Sequence, residues 1–296
     1  MKKYIVVISI LISSVLFFAC QDESKKANEQ GSESSFLNID PIVENKKENP
    51  ASYPLIIPAG ENRIVGRILI ASGVKTKPTV VFLHGNPGFE KNEETGQILR
   101  RGGYNSVFFS YSGTWGNKGI FGYNKSINDV KAVIEYLTKN SKQLRVDSEN
   151  IYLCGFSMGA DIAILSSREL KAIKGIISID PWNGYYTLNQ KTEDELDKYI
   201  SNLEQRPCIN IASGKAFVGE IITNEAMDLK AALNNSTIHI FSSKKNKYAF
   251  EKYCGQENNE NLIVLSSVDH SFSDKRIALA KTIYEWLEKN QRENDD

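Results

Sequence analysis

The chain has 296 residues, enough for one large domain or two small ones with a substantial core. Its 36 Lys and Arg balance 36 Asp and Glu, so no basic excess marks it as a nucleic-acid binder. The 41% apolar content argues for a globular body, and Cys20, Cys154, Cys208 and Cys254 show no metal-ligand spacing, so neither a metal nor another cofactor is expected.

The chain opens on Lys2 and Lys3, an apolar run over residues 4–18, and then Ala19-Cys20. A basic start, a short apolar core and a small residue before a cleavage point describe a bacterial export signal, and the run is short for a bilayer span. The arrangement resembles a bacterial lipoprotein signal over residues 1–20, which implies a lipid on Cys20. Gln21-Asp22-Glu23-Ser24 is similar to the acidic patch of Bacteroidetes-type lipoproteins sent to the outer membrane. The likeness implies a cell-envelope protein anchored to a bacterial membrane, the outer one. Residues 21–52 are rich in Ser, Asn, Glu and Lys and cannot bury enough surface to offset chain entropy, so they read as a flexible tether. With Cys20 so used, three cysteines remain, and an odd number gives no disulfide framework. Cys154 sits in an apolar run and reads as a buried small side chain.

The body is expected over residues 53–296. Residues 53–58 and 63–71 predict an antiparallel hairpin, and the β-branched run 79–83 predicts a buried strand that ends at His84-Gly85-Asn86-Pro87-Gly88. A helix over 93–101 stops at Gly102-Gly103, and a strand over 104–111 closes on Ser112-Gly113-Thr114-Trp115-Gly116. Ser126 reads as the N-cap of a helix with Val130, Val133, Ile134 and Leu137 on one face. A strand at 151–154 enters Gly155-Phe156-Ser157-Met158-Gly159, and one over 173–179 ends at Asp180-Pro181-Trp182. Residues 183–236 break the rhythm, with a helix over 192–203, a strand near 209–212 and a helix over 219–233. They form either an inserted lid or a further strand of the main sheet. Strand 237–241, a helix near 248–254, strand 262–265, a loop holding His270 and a final helix follow. That helix is expected to turn Ile277, Ala280, Ile283, Tyr284 and Leu287 inward. Strands alternating with helices predict an α/β fold, a mostly parallel sheet covered on both faces.

Gly-x-Ser-x-Gly between a strand and a buried helix is the setting of a nucleophilic serine. The turn is strained, bulky neighbours at 155 and 159 would collide, and the helix N-terminus faces any anion formed beside Ser157. The serine needs a base. His84 lies upstream, His239 sits inside an apolar strand, and His270 lies in a loop after a strand, where an open parallel sheet gathers its ligand-binding groups. His270 is the candidate base. Asp180, at a strand end, leads as the carboxylate that orients it, and its alternative role is a turn residue before proline. Asp269 adjoins His270 in sequence and ranks lower. Oxyanion donors are expected from the N–H groups of Met158 and Asn86, since Pro87 has none. Trp115, Trp182, Tyr185 and Tyr186 are candidates to line an apolar substrate pocket.

The segments at 84–88, 155–159, 180–182 and 269–272 together resemble the α/β-hydrolase superfamily, over nearly all of residues 53–289. The likeness implies the chain order serine, acid, histidine, which Ser157, Asp180 and His270 follow. Residues 111–116 resemble bacterial members close to serine aminopeptidases and acyl-peptide hydrolases. Most members carry the acid after the seventh strand, where residues 243–246 have none. A minority, including secreted platelet-activating-factor acetylhydrolases, carry it after the sixth, in a context similar to Ile179-Asp180-Pro181-Trp182. His-Gly-Asn-Pro is also similar to haloalkane dehalogenases, but those use an aspartate nucleophile, and Ser157 argues against that chemistry. The expectation is a lipid-anchored serine hydrolase of a small acyl or peptide substrate, cleaving an ester, thioester or amide. The competing reading is a non-catalytic binding lipoprotein on the same scaffold.

Overall fold

A computed structural model describes residues 49–231, 236–256, 259–266 and 268–292. The expected signal segment, Cys20 and the part of the expected tether up to residue 48 lie outside the described residues.

The chain enters the body through an antiparallel hairpin, β1 (Ala51–Ala59) and β2 (Asn62–Ile70), closed by Gly60 and Glu61. In β1 burial alternates, with Leu55, Ile57 and Ala59 inward and Tyr53 and Ile56 outward, as an edge strand with one wet face requires. β3 (Lys77–Leu83), β4 (Asn105–Phe109), β5 (Val146–Phe156), β6 (Ile173–Ile179), β7 (Thr237–Phe241) and β8 (Leu262–Val264) complete an eight-stranded sheet. Its order is β1-β2-β4-β3-β5-β6-β7-β8, parallel from β4 onward, with β2 antiparallel to β4. The inner parallel strands carry short apolar runs, such as residues 151–154 of β5, because both faces are covered.

On one face α1 (Glu93–Arg101) and α9 (Arg276–Arg292) bury Leu99, Leu279, Ile283 and Leu287 against Val80, Tyr152 and Ile238. The other face carries α2 (Tyr123–Lys139) and α4 (Met158–Ser167), which bury Val130, Val133, Ile134, Leu137, Ile162 and Ile164 against Val81, Leu153 and Ile176. A short α3 (Ser141–Leu144) links α2 to β5. Between β6 and β7 lie α5 (Gly184–Asn189), α6 (Glu193–Glu204) and α7 (Gly214–Ile222), and α8 (Lys244–Cys254) follows β7. Among the described residues no helix is long and apolar enough to cross a membrane.

Four expectations need correction. Ser126 does not cap α2, because Gly122 holds the cap position and Ser126 Oγ turns back to its carbonyl at 2.8 Å. The first N–H groups of α2, those of Tyr123 and Asn124, donate instead to the Glu220 carboxylate at 2.9 and 2.7 Å. Residues 209–212 form no strand of the sheet, and Ile209 makes only an isolated bridge to Thr114. The expected helix over 219–233 starts earlier, at Gly214 under a Ser213 cap, and stops at Ile222. Asn224 and Asp228 then bond the N–H groups of Ala226 and Lys230, and these side chains start two 3-10 turns in place of a continuous helix. In α9 Ile277 is exposed. It sits roughly 120° round the helix from the face made by Leu279, Ala280, Ile283, Trp286 and Leu287.

Candidate active site

β5 delivers Ser157 at the start of α4 with φ 55° and ψ −123°, a backbone region that a residue with a side chain seldom occupies. Surrounding bonds hold it there. Ser157 N–H donates to Ile179 O at 2.9 Å, and its carbonyl accepts from Ala160 N–H at 2.9 Å and Trp182 N–H at 3.4 Å. The flanking glycines are dictated by contact. A Cβ at Gly155 would lie 2.1 Å from Gly159 O, and one at Gly159 would lie 2.1 Å from Leu83 O. The loop after β3 presses on the serine, since a Cβ on Gly85 would stand 3.0 Å from Ser157 Cβ.

Asp180 follows β6, the strand beside β5, so its loop opens at the same edge of the sheet as Ser157. Its carboxylate is nearly fully buried and lies 2.6 Å from His270 Nδ1. Ser242 donates through Oγ at 2.7 Å and N–H at 3.2 Å, and Asn246 Nδ2 donates at 3.0 and 3.2 Å. Burial pushes this carboxyl up, but the hydrogen bonds from His270, Ser242 and Asn246 outweigh it and hold the group below its ordinary value. The stretch after β7 that lacks an acid thus supplies the donors that keep Asp180 ionised. With the carboxylate charged, His270 Nδ1 carries the proton and donates, which leaves Nε2 as the acceptor. The imidazole side chain is 54% exposed, and its ring packs 4.8 Å from Phe156, the neighbour of Ser157. Asp269 points elsewhere, its two oxygens taken by Ser273 N–H at 2.8 Å and Ser273 Oγ at 2.7 Å.

The other histidines are packed. His84 is buried against Tyr111 with Nδ1 2.7 Å from Gly85 O, and burial pushes it down to about 4. His239 is buried beside Phe250 and Phe241, and burial pushes it down to about 3. Met158 is the first residue of α4, where an N–H has no intrahelical acceptor. Asn86 follows Gly85 in the loop against Ser157. Its Oδ1 accepts a 2.8 Å hydrogen bond from Arg206, just beyond α6.

Of the candidate pocket aromatics, Trp182 stacks on Tyr199 at 5.9 Å and is joined to Ser157 through its backbone. Trp115 is 39% exposed, rests edge-on against Phe89, and donates from Nε1 to Pro87 O at 2.7 Å, so it borders the loop after β3. Tyr185 and Tyr186 lie in α5, Tyr185 partly buried on the core and Tyr186 4.2 Å from Tyr253. Two residues bonded to these loops escape a reading of the sequence. Arg206 looks like any arginine in a polar insertion. Asp161, fully buried in α4, accepts from Tyr123 Oη at 2.7 Å and from Asn183 and Gly184 N–H at 3.0 and 2.9 Å. Burial pushes its carboxyl up to about 6 against those hydrogen bonds. A lone acid in an apolar helix was the one available signal. Among the described residues no group of three His, Cys, Asp or Glu gathers as a metal site.

Strand order and loop placement together are those of an α/β-hydrolase fold, and comparison with solved structures gives the same class. Est1E from Butyrivibrio proteoclasticus, solved with ferulic acid, superposes with a TM-score of 0.64 at 16% identity, over 80% of this chain and 99% of that one. An esterase from Rhizomucor miehei gives 0.56 at 17% identity over 90% of each chain. An esterase from Pyrobaculum calidifontis gives 0.56 at 16% over 90% of this chain and 93% of that one. The BD-FAE family model matches residues 68–210, from β2 through the serine turn into the connection after α6. No curated protein sequence matches the chain.

Proposed function

We propose that this protein is a serine hydrolase, carboxylesterase-like, that works through an acyl-enzyme on Ser157. The observation that carries the reading is the 2.6 Å contact between His270 Nδ1 and the buried Asp180, in loops on the sheet edge where the strained Ser157 turn stands. Ser157 Oγ attacks the acyl carbonyl while His270 Nε2 takes its proton, and Asp180 stabilises the imidazolium. The N–H groups of Asn86 and Met158 receive the oxyanion at the positive end of α4. The tetrahedral intermediate collapses as His270 returns the proton to the departing alcohol. Water then attacks the acyl-enzyme through the same histidine. Thioesters and activated amides fit the same steps, and the likeness of residues 111–116 to serine aminopeptidases is the one feature that favours a peptidase. The esterases among the structural neighbours support the ester. We further propose export and lipid anchoring through Cys20, on the strength of residues 1–20 alone.

Fluorophosphonate labelling and hydrolysis of p-nitrophenyl esters and peptide anilides test the assignment. Wild type should label and should cleave esters fastest. Ser157→Ala and His270→Ala should lose roughly 10⁴-fold or more in turnover, and Asp180→Asn a comparable factor. A wild-type protein that neither labels nor cleaves any of these would be a binding protein on a hydrolase scaffold. For the anchor, Cys20→Ser should move the protein out of the membrane fraction, and unchanged fractionation rules the anchor out.

A further inference from the structure

Arg206 stands just past the end of α6, yet its Nη1 bonds Asn86, 120 residues away in sequence, at 2.8 Å. Asn86 follows Gly85, the residue pressed against Ser157 Cβ. A guanidinium has five N–H donors. Among the described residues this one meets a single amide oxygen and has no carboxylate within ion-pair distance. Glu204, two residues before it, accepts instead from Gly214 N–H at 2.7 Å. Arg206 is only partly buried, and its single amide partner leaves most of its donors free to meet an anion.

Its surroundings lead back to the nucleophile. Arg206 lies within electrostatic range of Tyr199. Tyr199 stacks on Trp182 with the ring planes 20° apart, and Trp182 N–H reaches Ser157 O. On one side of Ser157 stand two stacked aromatic rings, the outer of which feels the charge of Arg206, and on the other Gly85 and Asn86 lead to the same cation. We propose that Arg206 binds a carboxylate on the substrate, so that the esters this protein prefers carry a negative charge away from the scissile bond. The inference rests on the serine-hydrolase reading and names its substrate class.

The test compares isosteric pairs that differ only in charge. Monomethyl glutarate against methyl glutaramate puts the carboxylate on the acyl side, and acetylglycolate against acetylglycolamide puts it on the alcohol side. Because Arg206 also holds Asn86, its loss slows both members of a pair together, and the charged-to-neutral ratio of kcat/KM cancels that common factor. In Arg206→Gln the ratio should fall about 10- to 100-fold for one of the pairs, the size expected for a charge-assisted hydrogen bond, and chiefly through KM. Ratios within about twofold of wild type for both pairs overturn the proposal while leaving the hydrolase reading intact. If wild type cleaves no ester at all, glutarate binding by calorimetry decides: binding lost in Arg206→Gln keeps the anion site, and absence of binding to wild type removes it.

Discussion

At Asp180 a single carboxylate is asked to stay charged while nearly fully buried, and the residues that make this workable come from the loop after β7. Ser242 and Asn246 together provide three donors to it, alongside His270 Nδ1. Losing one donor to a buried anion leaves its desolvation uncompensated. Asn246→Ala should therefore reduce kcat/KM for a neutral p-nitrophenyl ester roughly 10-fold, corresponding to about 1.4 kcal/mol of lost support for the Asp180–His270 pair. Turnover equal to wild type would mean that Ser242 alone suffices. The candidates Ser157, His270 and Asp180 were legible because each combines a reactive side chain with a strand end. Asn246 was not, since an asparagine among lysines gives no sign that it faces a carboxylate 66 residues upstream. Arg206 and Asp161 stayed hidden for the same reason, their meaning lying in partners remote in sequence.

The serine turn depends on two backbones that touch with no side chain between them. Because a Cβ at Gly159 would meet a carbonyl oxygen of β3, which the sheet holds fixed, Gly159→Ala cannot be relieved by a rotamer change. It should cost at least about 3 kcal/mol, the upper end of ordinary overpacking, and appear as a large drop in urea midpoint or as insoluble protein. A midpoint near wild type would mean that the turn can open away from β3. A milder case is the start of α2, where Glu220 caps two N–H groups from α7. Glu220→Ala should cost about 1–2 kcal/mol, as for other lost caps, and thermal unfolding reads it directly. The strands and the framing helices could be read from apolar runs and glycines, since local pattern and burial agree there. In the inserted segment the helix over 192–203 was legible, but the stretch after Ile222 was not, because Asn224 and Asp228 fix its turns through side-chain bonds that leave no periodicity.

Across the whole molecule, buried titratable groups tie stability to pH, and they do not all act in one direction. His84 and His239 fall to about 4 and about 3 from an ordinary 6.5, so below pH 6.5 the unfolded chain binds protons that the folded protein refuses. Their stabilisation is complete above 6.5 and drains away as pH falls. Asp161 is opposite: raised to about 6 from 3.8, it holds a proton in the folded state alone between those values, so its contribution grows on acidification. Asp180, depressed, loses its contribution only below 3.8. Between pH 6 and 4 two refused protons stand against one retained, and these groups lower the unfolding free energy by about 1.4 kcal/mol per pH unit. His239→Phe isolates one of them. The ring would sit between Phe241 and Phe250, and any overpacking cost is the same at every pH, so it leaves the slope untouched. Urea unfolding at pH 6, 5 and 4 should show wild type losing roughly 2–3 kcal/mol more than the variant over that span. Parallel curves would mean that His239 accepts its proton without unfolding, and that the apolar layer between β7 and α8 admits water.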